Sequence, residues 1–435
     1  MSASFYGGIH PYDGKILSRS LPLTTLPAPA HVILPLVQHI GQPCTPCVSV
    51  GDTVTVGQPI AESAALGAPV HASVSGTVLA IEDRRHPNGR LIPSVIIGND
   101  RLDTPCDALQ GAADPSALSP QQLLDIIRRA GIIGMGGAAF PTETKLRGAV
   151  GKADTLIANA CECEPYLTAD ETLLSRRAQE VLGGLQLLQD ALGARDAVLA
   201  VEDNKPDAIA AVEQTIPAFS PIRLSVLPTR YPQGSEKQLI RAVTGREVSA
   251  DKLPIDAGCA VVNAATCAAV YDAVYRGKPL THRIVTVTGD AVKRPQNLRV
   301  PIGTPLRDLI DHCGGLTGDV WKVIVGGPMM GMAQKNLDTC IVKNSGAVVC
   351  LSRRHDTANR ATACIRCGRC VRACPMYLQP LYLYRFAKAD DRNALARQRL
   401  FDCIQCGCCS YVCPAKLPLA EQFALTKQAV KERAL

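Results

Sequence analysis

No stretch of this 435-residue chain stays apolar over the ~18 consecutive residues that suggest a membrane span. The nearest approach, 257–271, is interrupted by Asn263 and Thr266. The opening Met1-Ser-Ala-Ser-Phe-Tyr lacks a basic segment followed by an apolar one, so no secretory signal is expected and the chain is expected in the cytoplasm. No basic run or nucleic-acid recognition motif occurs, which argues against nucleic acid as a partner. A disulfide framework is not expected either: the 19 cysteines are an odd number in a chain with no signal for an oxidising compartment. Metal is the better use for them. What is present, 47% hydrophobic and 20% charged residues, excludes disorder over most of the length and supplies core for about three domains.

Lysine is missing between Lys15 and Lys145, and this decides one question. Residues 31–97 have β texture, and two stretches, 51–60 and 69–78, alternate apolar and polar residues around a glycine turn. They resemble the two halves of the barrel-sandwich domain of biotinyl and lipoyl carriers, where a lysine in the connecting hairpin carries the prosthetic group. The connection 61–68 has no lysine, so the fold is expected without the carrier chemistry, as a docking module.

The whole chain reads as a multidomain α+β protein. Residues 1–30, rich in Gly and Pro, form an arm; the barrel-sandwich domain spans 31–100. After a linker, 115–255 alternates helical patterns with the short strands 155–158, 197–201 and 224–227, an α/β texture. Its first helix, 120–130, has Ser119 as N-cap. Residues 256–345 read as a small mixed β domain of β-grasp type, with strands 283–288 and 322–325 and a turn at Gly326-Gly-Pro328. Residues 352–435 are helical between cysteine clusters.

Nine cysteines fall between Cys364 and Cys413. Cys364, Cys367, Cys370 and Cys374, followed by proline, recur 39 residues later as Cys403, Cys406, Cys409 and Cys413, again followed by proline. This is the bacterial ferredoxin run, in which the fourth cysteine ligates the other of two [4Fe–4S] clusters. Zinc also binds paired Cys-x2-Cys units, but has no use for a third cysteine and a fourth before proline, twice over. The 28 residues between Cys374 and Cys403 read as helix and resemble the helical ferredoxin domain of multi-subunit oxidoreductases. Residues 353–435 hold 15 basic and 6 acidic side chains, against 31 and 33 in the rest. Two clusters at about −2 each offset part of that excess, and the remainder suits an acidic partner or lipid headgroups. Cys408, between ligands, is expected to pack beside a cluster, and Cys44 and Cys47 to be structural.

Clusters move single electrons and need a source. Residues 131–147 hold Gly134, Gly136 and Gly137 after a helix, where backbone N–H groups can approach a ligand, with Lys145 beyond. No strand leads in and the spacing is wrong for a Rossmann fingerprint. The run Gly134-x-Gly-Gly-Ala-x-Phe140-Pro-Thr-x2-Lys145 is similar to the FMN-binding loop of the NADH-oxidising flavoprotein subunit of respiratory complex I. Asn159-Ala-Cys-Glu-Cys-Glu-Pro165, Tyr231-x2-Gly234-x-Glu236 and Val262-Asn263-x2-Thr266 resemble its later flavin segments, in the same order. The full domain order, opened by Phe5-Tyr-Gly-Gly-Ile-His-Pro11, resembles the C-subunit family of Rnf complexes, which are ion-translocating ferredoxin:NAD⁺ oxidoreductases.

The resemblance implies that Gly134, Gly136, Gly137, Lys145, Asn159, Tyr231, Gly234 and Asn263 contact FMN. It implies that Phe140 and Glu164 hold NAD(H) and that Glu162 lines the site. Cys161, Cys163 and Ser235 depart from the complex I pattern. From the residues alone, the alternatives are a core side chain for Phe140 and a solvated one for Glu162 or Glu164. The implied protein is a peripheral oxidoreductase subunit on the cytoplasmic side of the inner membrane. It would exchange electrons between NAD(H) and membrane and iron–sulfur partner subunits, and indirectly ferredoxin, while other subunits move the ion. The rival readings are a soluble cobalamin reductase, which resembles this domain set, and a non-catalytic electron-relay scaffold.

Overall fold

A computed structural model describes residues 4–107, 109–356 and 360–432. The first three residues of the arm, 357–359 and the last three of the ferredoxin segment lie outside the described residues.

The barrel-sandwich is built from two small antiparallel sheets. One orders His31–Pro35, Leu91–Asn99, Gly76–Arg85 and Thr53–Val54; the other orders Thr45–Pro46, Pro59–Glu62 and Val70–His71. The halves interleave, since Thr53 pairs with Thr77 and Pro59 with His71. Alternation turns Val32, Leu34, Val54, Ile60, Val70, Val78, Val95 and Ile97 inward. Gly76, at φ 143°, lies so close to the neighbouring strand that a Cβ would stand 1.8 Å from the Gly98 carbonyl oxygen.

The α/β domain opens with the helix Pro120–Arg129. Ser119 and Gln122 form a capping box, and Leu123, Leu124, Ile126 and Ile127 are buried. Its sheet is parallel throughout, in the order Arg223–Leu227, Asp196–Glu202, Thr155–Ala160, Cys259–Asn263. The helices Ala169–Leu192 and Ala264–Arg276 pack on each other beside it. The last strand and its helix extend this domain past residue 255, the boundary expected from the sequence. A parallel strand buried on both faces shows no alternation, so Cys-Ala-Val-Val-Asn has no readable period.

The β-grasp-like domain is a six-stranded mixed sheet with the helix Leu306–His312 packed into its core. Its strand Ala347–Ser352 carries it past residue 345. Its far edge comes from the arm: Thr24–Thr25 pairs in parallel with Leu298 and Arg299. The ferredoxin domain has its own core of Leu378, Leu383, Leu395, Leu400, Leu419 and Phe423, around the helices Pro380–Lys388 and Leu419–Glu432. Among the described residues no helix is long and apolar enough to cross a membrane.

The arm also joins domains. Ile9 and Tyr231 exchange two backbone hydrogen bonds, and the Gly8 N–H donates to the Ala373 carbonyl at 3.0 Å. At Gly7, φ 73°, a Cβ would stand 2.7 Å from the backbone of Cys374, so the contact requires glycine.

Candidate functional site

Two cavities lie in the ferredoxin domain, and they divide the repeated cysteines. One is lined by Cys364, Cys367, Cys370 and Cys413; the other by Cys374, Cys403, Cys406 and Cys409, with Cys408 beside them. Each set takes three cysteines from one motif and the fourth from the other. The short helices Arg369–Ala373 and Cys408–Tyr411 pack together and carry the chain from cavity to cavity. The backbone repeats with the sequence. Arg366 and Gln405, Gly368 and Gly407, and Tyr377 and Lys416 are all left-handed, each pair 39 residues apart. Non-glycine residues rarely hold that conformation, so its recurrence marks an imposed wrap. Among the described residues no three Cys, His, Asp or Glu side chains converge closely enough to share one metal ion. Three closely spaced cysteines and a distant fourth at each cavity suit a four-iron cubane.

The glycine loop is held by its carbonyls. The Gly134 N–H donates to the Phe140 carbonyl at 2.8 Å. The Thr266 hydroxyl donates to the Ile133 carbonyl and accepts from the Met135 N–H, each at 3.2 Å. The N–H groups of Gly136, Gly137 and Ala138 have no partner among the described residues, and all three residues are exposed. Nothing stands within 4 Å of a Cβ at Gly137, whereas one at Gly136 would meet Asn263 Nδ2 at 2.8 Å. Consecutive free N–H groups in an open turn suit an anion such as a phosphate.

Parallel register places Asn159 directly beside Asn263, at the C-terminal ends of adjacent strands. Open α/β sheets bind ligands at this end. Asn263 caps the helix Ala264–Arg276 and donates Nδ2–H to Asp170 Oδ2 at 2.9 Å. Asn159 donates Nδ2–H to the Gly234 carbonyl at 2.8 Å. A Cβ at Gly234 would stand 2.3 Å from the Cys161 carbonyl oxygen, so close packing demands glycine there. Lys145 pairs with Glu236 at 2.5 Å.

Three predicted residues direct their polar ends elsewhere. The Glu162 carboxylate accepts the Asp170 and Glu171 N–H groups at the start of the helix Ala169–Leu192. Glu164 accepts the Met329 and Met330 N–H groups at 3.0 and 2.9 Å, tying the α/β domain to the Gly326-Gly-Pro turn of the β-grasp domain. Burial pushes the Glu164 carboxyl up to about 7. Tyr231 is buried, with its hydroxyl donating to the Cys406 carbonyl at 2.8 Å. Phe140 is half-buried. The fully buried Lys15, from the arm, donates to the carbonyls of Glu162, Glu164 and Leu167.

Sequence reasoning missed Asp170, which burial and then the neighbouring Glu162 push up to about 6. It also missed Thr266 as the loop's anchor, although that residue closes the Val262-Asn263-x2-Thr266 segment. Cys408 is fully buried beside the second cavity. The Cys44 Sγ lies 3.4 Å from His39 Nε2 inside the barrel-sandwich, and Cys47 is exposed.

Comparisons with known proteins follow the same division. Residues 3–102 match the RnfC barrel sandwich hybrid domain, 127–272 the Nuo51 FMN-binding domain, 284–333 the SLBB domain and 360–417 the 4Fe-4S dicluster domain. The C subunit of the proton-translocating ferredoxin:NAD(+) oxidoreductase complex of Clostridium ljungdahlii is 43% identical, over 90% of this chain and 86% of that one. The C subunit of the Na(+)-translocating ferredoxin:NAD(+) oxidoreductase complex of Acetobacterium woodii is 42% identical over 98% of this chain and 97% of its own. The C subunit of the ion-translocating oxidoreductase complex of Pseudomonas aeruginosa is 42% identical over 99% of this chain, which spans 56% of that longer protein. A solved NAD⁺-reducing [NiFe]-hydrogenase in the H2-reduced state shares the fold, with TM-score 0.51 and 22% identity over 74% of this chain and 63% of that one. Near-complete coverage at this identity, with all four domain types in order, places the chain in the family of C subunits of ion-translocating ferredoxin:NAD⁺ oxidoreductase complexes.

Proposed function

We propose that this chain is the peripheral subunit through which such a complex exchanges electrons with NAD(H), using FMN and two [4Fe–4S] clusters, while partner subunits translocate the ion. The observation that carries this reading is the direct seam between the two kinds of site. Tyr231, three residues before Gly234, donates its hydroxyl hydrogen bond to the backbone of Cys406. When bound, FMN converts the electron pair of a hydride into single electrons, and the clusters pass them on one at a time.

The chain's residues divide the work. The N–H groups of Gly136, Gly137 and Ala138, with Lys145, would hold the FMN phosphate. Asn159, Gly234 and Asn263 would line the flavin ring. Glu164 and Phe140 would border the nicotinamide nucleotide, with Glu162 ordering the helix start beneath. Cys374, Cys403, Cys406 and Cys409 would hold the flavin-proximal cluster, and Cys364, Cys367, Cys370 and Cys413 the outer one. The exposed Cys364 and Cys367, flanked by Arg366 and Arg369 at the outer cavity, favour an acidic electron-transfer partner there. This would be an iron–sulfur subunit at the cytoplasmic face of the inner membrane, itself exchanging with ferredoxin.

Purified holo-protein should contain about one FMN and about eight irons, and reduce ferricyanide with NADH. A protein that binds FMN but does not oxidise NADH would favour the relay scaffold instead.

A further inference from the structure

Lys343 is fully buried, and among the described residues no carboxylate pairs with it. Its Nζ donates to the Gly131 carbonyl at 2.7 Å and to the Pro69 carbonyl. Its backbone N–H donates to Gln38 Oε1 at 3.0 Å. One side chain thus joins the β-grasp domain, the barrel-sandwich and the end of the helix Pro120–Arg129. Gly131, at φ 65°, is the residue that admits it: a Cβ would stand 2.8 Å from Lys343 Nζ and 2.5 Å from the Pro69 oxygen.

Gly131 is also where the glycine loop begins. The residue after Lys343, Asn344, donates Nδ2–H to the Gly137 carbonyl at 3.2 Å. From the barrel-sandwich, the Ile40 N–H donates to the Ala139 carbonyl at 3.1 Å. The loop's carbonyls at 131, 137 and 139 are therefore all held from outside the α/β domain, while the N–H groups of 136–138 point to no protein acceptor among the described residues. A turn whose oxygens are tied back presents its nitrogens outward, and preorganised donors bind an anion more tightly than mobile ones.

We infer that Lys343 and Asn344 are positioning residues for the flavin loop, so that the β-grasp and barrel-sandwich domains set the loop's affinity for the FMN phosphate. This rests on the FMN reading, and the test separates the two. The full-length protein with its clusters in place is stripped of flavin by dialysis. Hydrogen exchange is followed at the amides of 134–140, and FMN binding by flavin fluorescence, in wild type, Lys343→Met and Asn344→Ala. Lys343→Met should speed loop exchange at least several-fold and weaken FMN binding about 5–10-fold, the loss of one or two hydrogen bonds. Asn344→Ala, at a more accessible contact, should do the same to a smaller degree at 136–138 and decides the matter if Lys343→Met does not fold. Unchanged exchange in both variants overturns the inference. Faster exchange with unchanged FMN affinity also overturns it, leaving Lys343 a domain strut. Wild type that binds no FMN sinks the flavin reading, while loop exchange still reports on the positioning.

Discussion

The Tyr231 hydroxyl donates to the Cys406 carbonyl at 2.8 Å, and the backbone of Tyr231 is paired with Ile9 of the arm. One residue thus links arm, α/β domain and cluster domain. Tyr231→Phe keeps the ring and removes the bond, leaving a buried carbonyl unsatisfied at a cost of about 1–3 kcal/mol. FMN and iron content should be retained. The EPR signal of the cluster at Cys403, Cys406 and Cys409 should shift, and its reduction by NADH should slow in stopped flow. An unaltered signal and rate would remove Tyr231 from the route.

Cross-ligation makes a sharper demand. Cys374 lines the cavity of Cys403, Cys406 and Cys409, and Cys413 that of Cys364, Cys367 and Cys370. Cys374→Ala should therefore disturb the same EPR signal as Cys403→Ala and spare that of Cys364→Ala. Cys408→Ala should leave about eight irons per chain. A Cys374 variant with the Cys403 cluster intact would mean that each motif ligates its own cluster.

At the flavin loop, Lys145→Ala should lose FMN, because it removes the basic group that follows the loop and leaves Glu236 as an uncompensated negative charge. Iron should stay. Full FMN occupancy in this variant, measured by fluorescence after acid release, would assign Lys145 to the ion pair alone.

The barrel-sandwich holds the flavin loop through direct contacts. Ile40 holds the Ala139 carbonyl, and Pro69 and Gln38 hold Lys343. A module that only docked could be deleted, over 31–97, with NADH–ferricyanide activity largely intact. These contacts instead predict loss of FMN retention along with attachment to the membrane partners. A truncated protein with normal flavin content would restore the simpler docking role.

Glu164 gives a pH signature. Its carboxyl keeps its proton up to about 7 in the fold, against an ordinary value of 4.5. Between those values the native state binds more protons than the unfolded one, so stability falls as pH rises through about 4.5–7 and levels off above. Glu164→Gln should flatten that dependence by about 1–2 kcal/mol, measured as denaturation at pH 5 and pH 7, the partial exposure reducing the full linkage value. It should also keep FMN while weakening NADH use, since one of the two acceptors that hold Met329 and Met330 at the border of the site becomes a donor. Identical pH dependence in the variant would show that Glu164 titrates normally.

Local chemistry is legible without a fold. Ligand register in a ferredoxin run depends on spacing along a few residues, so Cys364 to Cys413 stand out from the chain alone. The capping box at Ser119 and Gln122 and the loop from Gly134 to Lys145 are readable for the same reason. What meets across the chain is not. Asn159 and Asn263 are neighbours only because two unalternating buried strands run parallel in one register. Glu164 reaches Met329 and Met330 through a domain contact that no spacing encodes. Lys343 lies more than 200 residues from the carbonyl of Gly131 that it holds. Short-range geometry follows from the covalent chain, whereas long-range pairing depends on which surfaces bury together, and a single sequence records that only as apolar residues without an address.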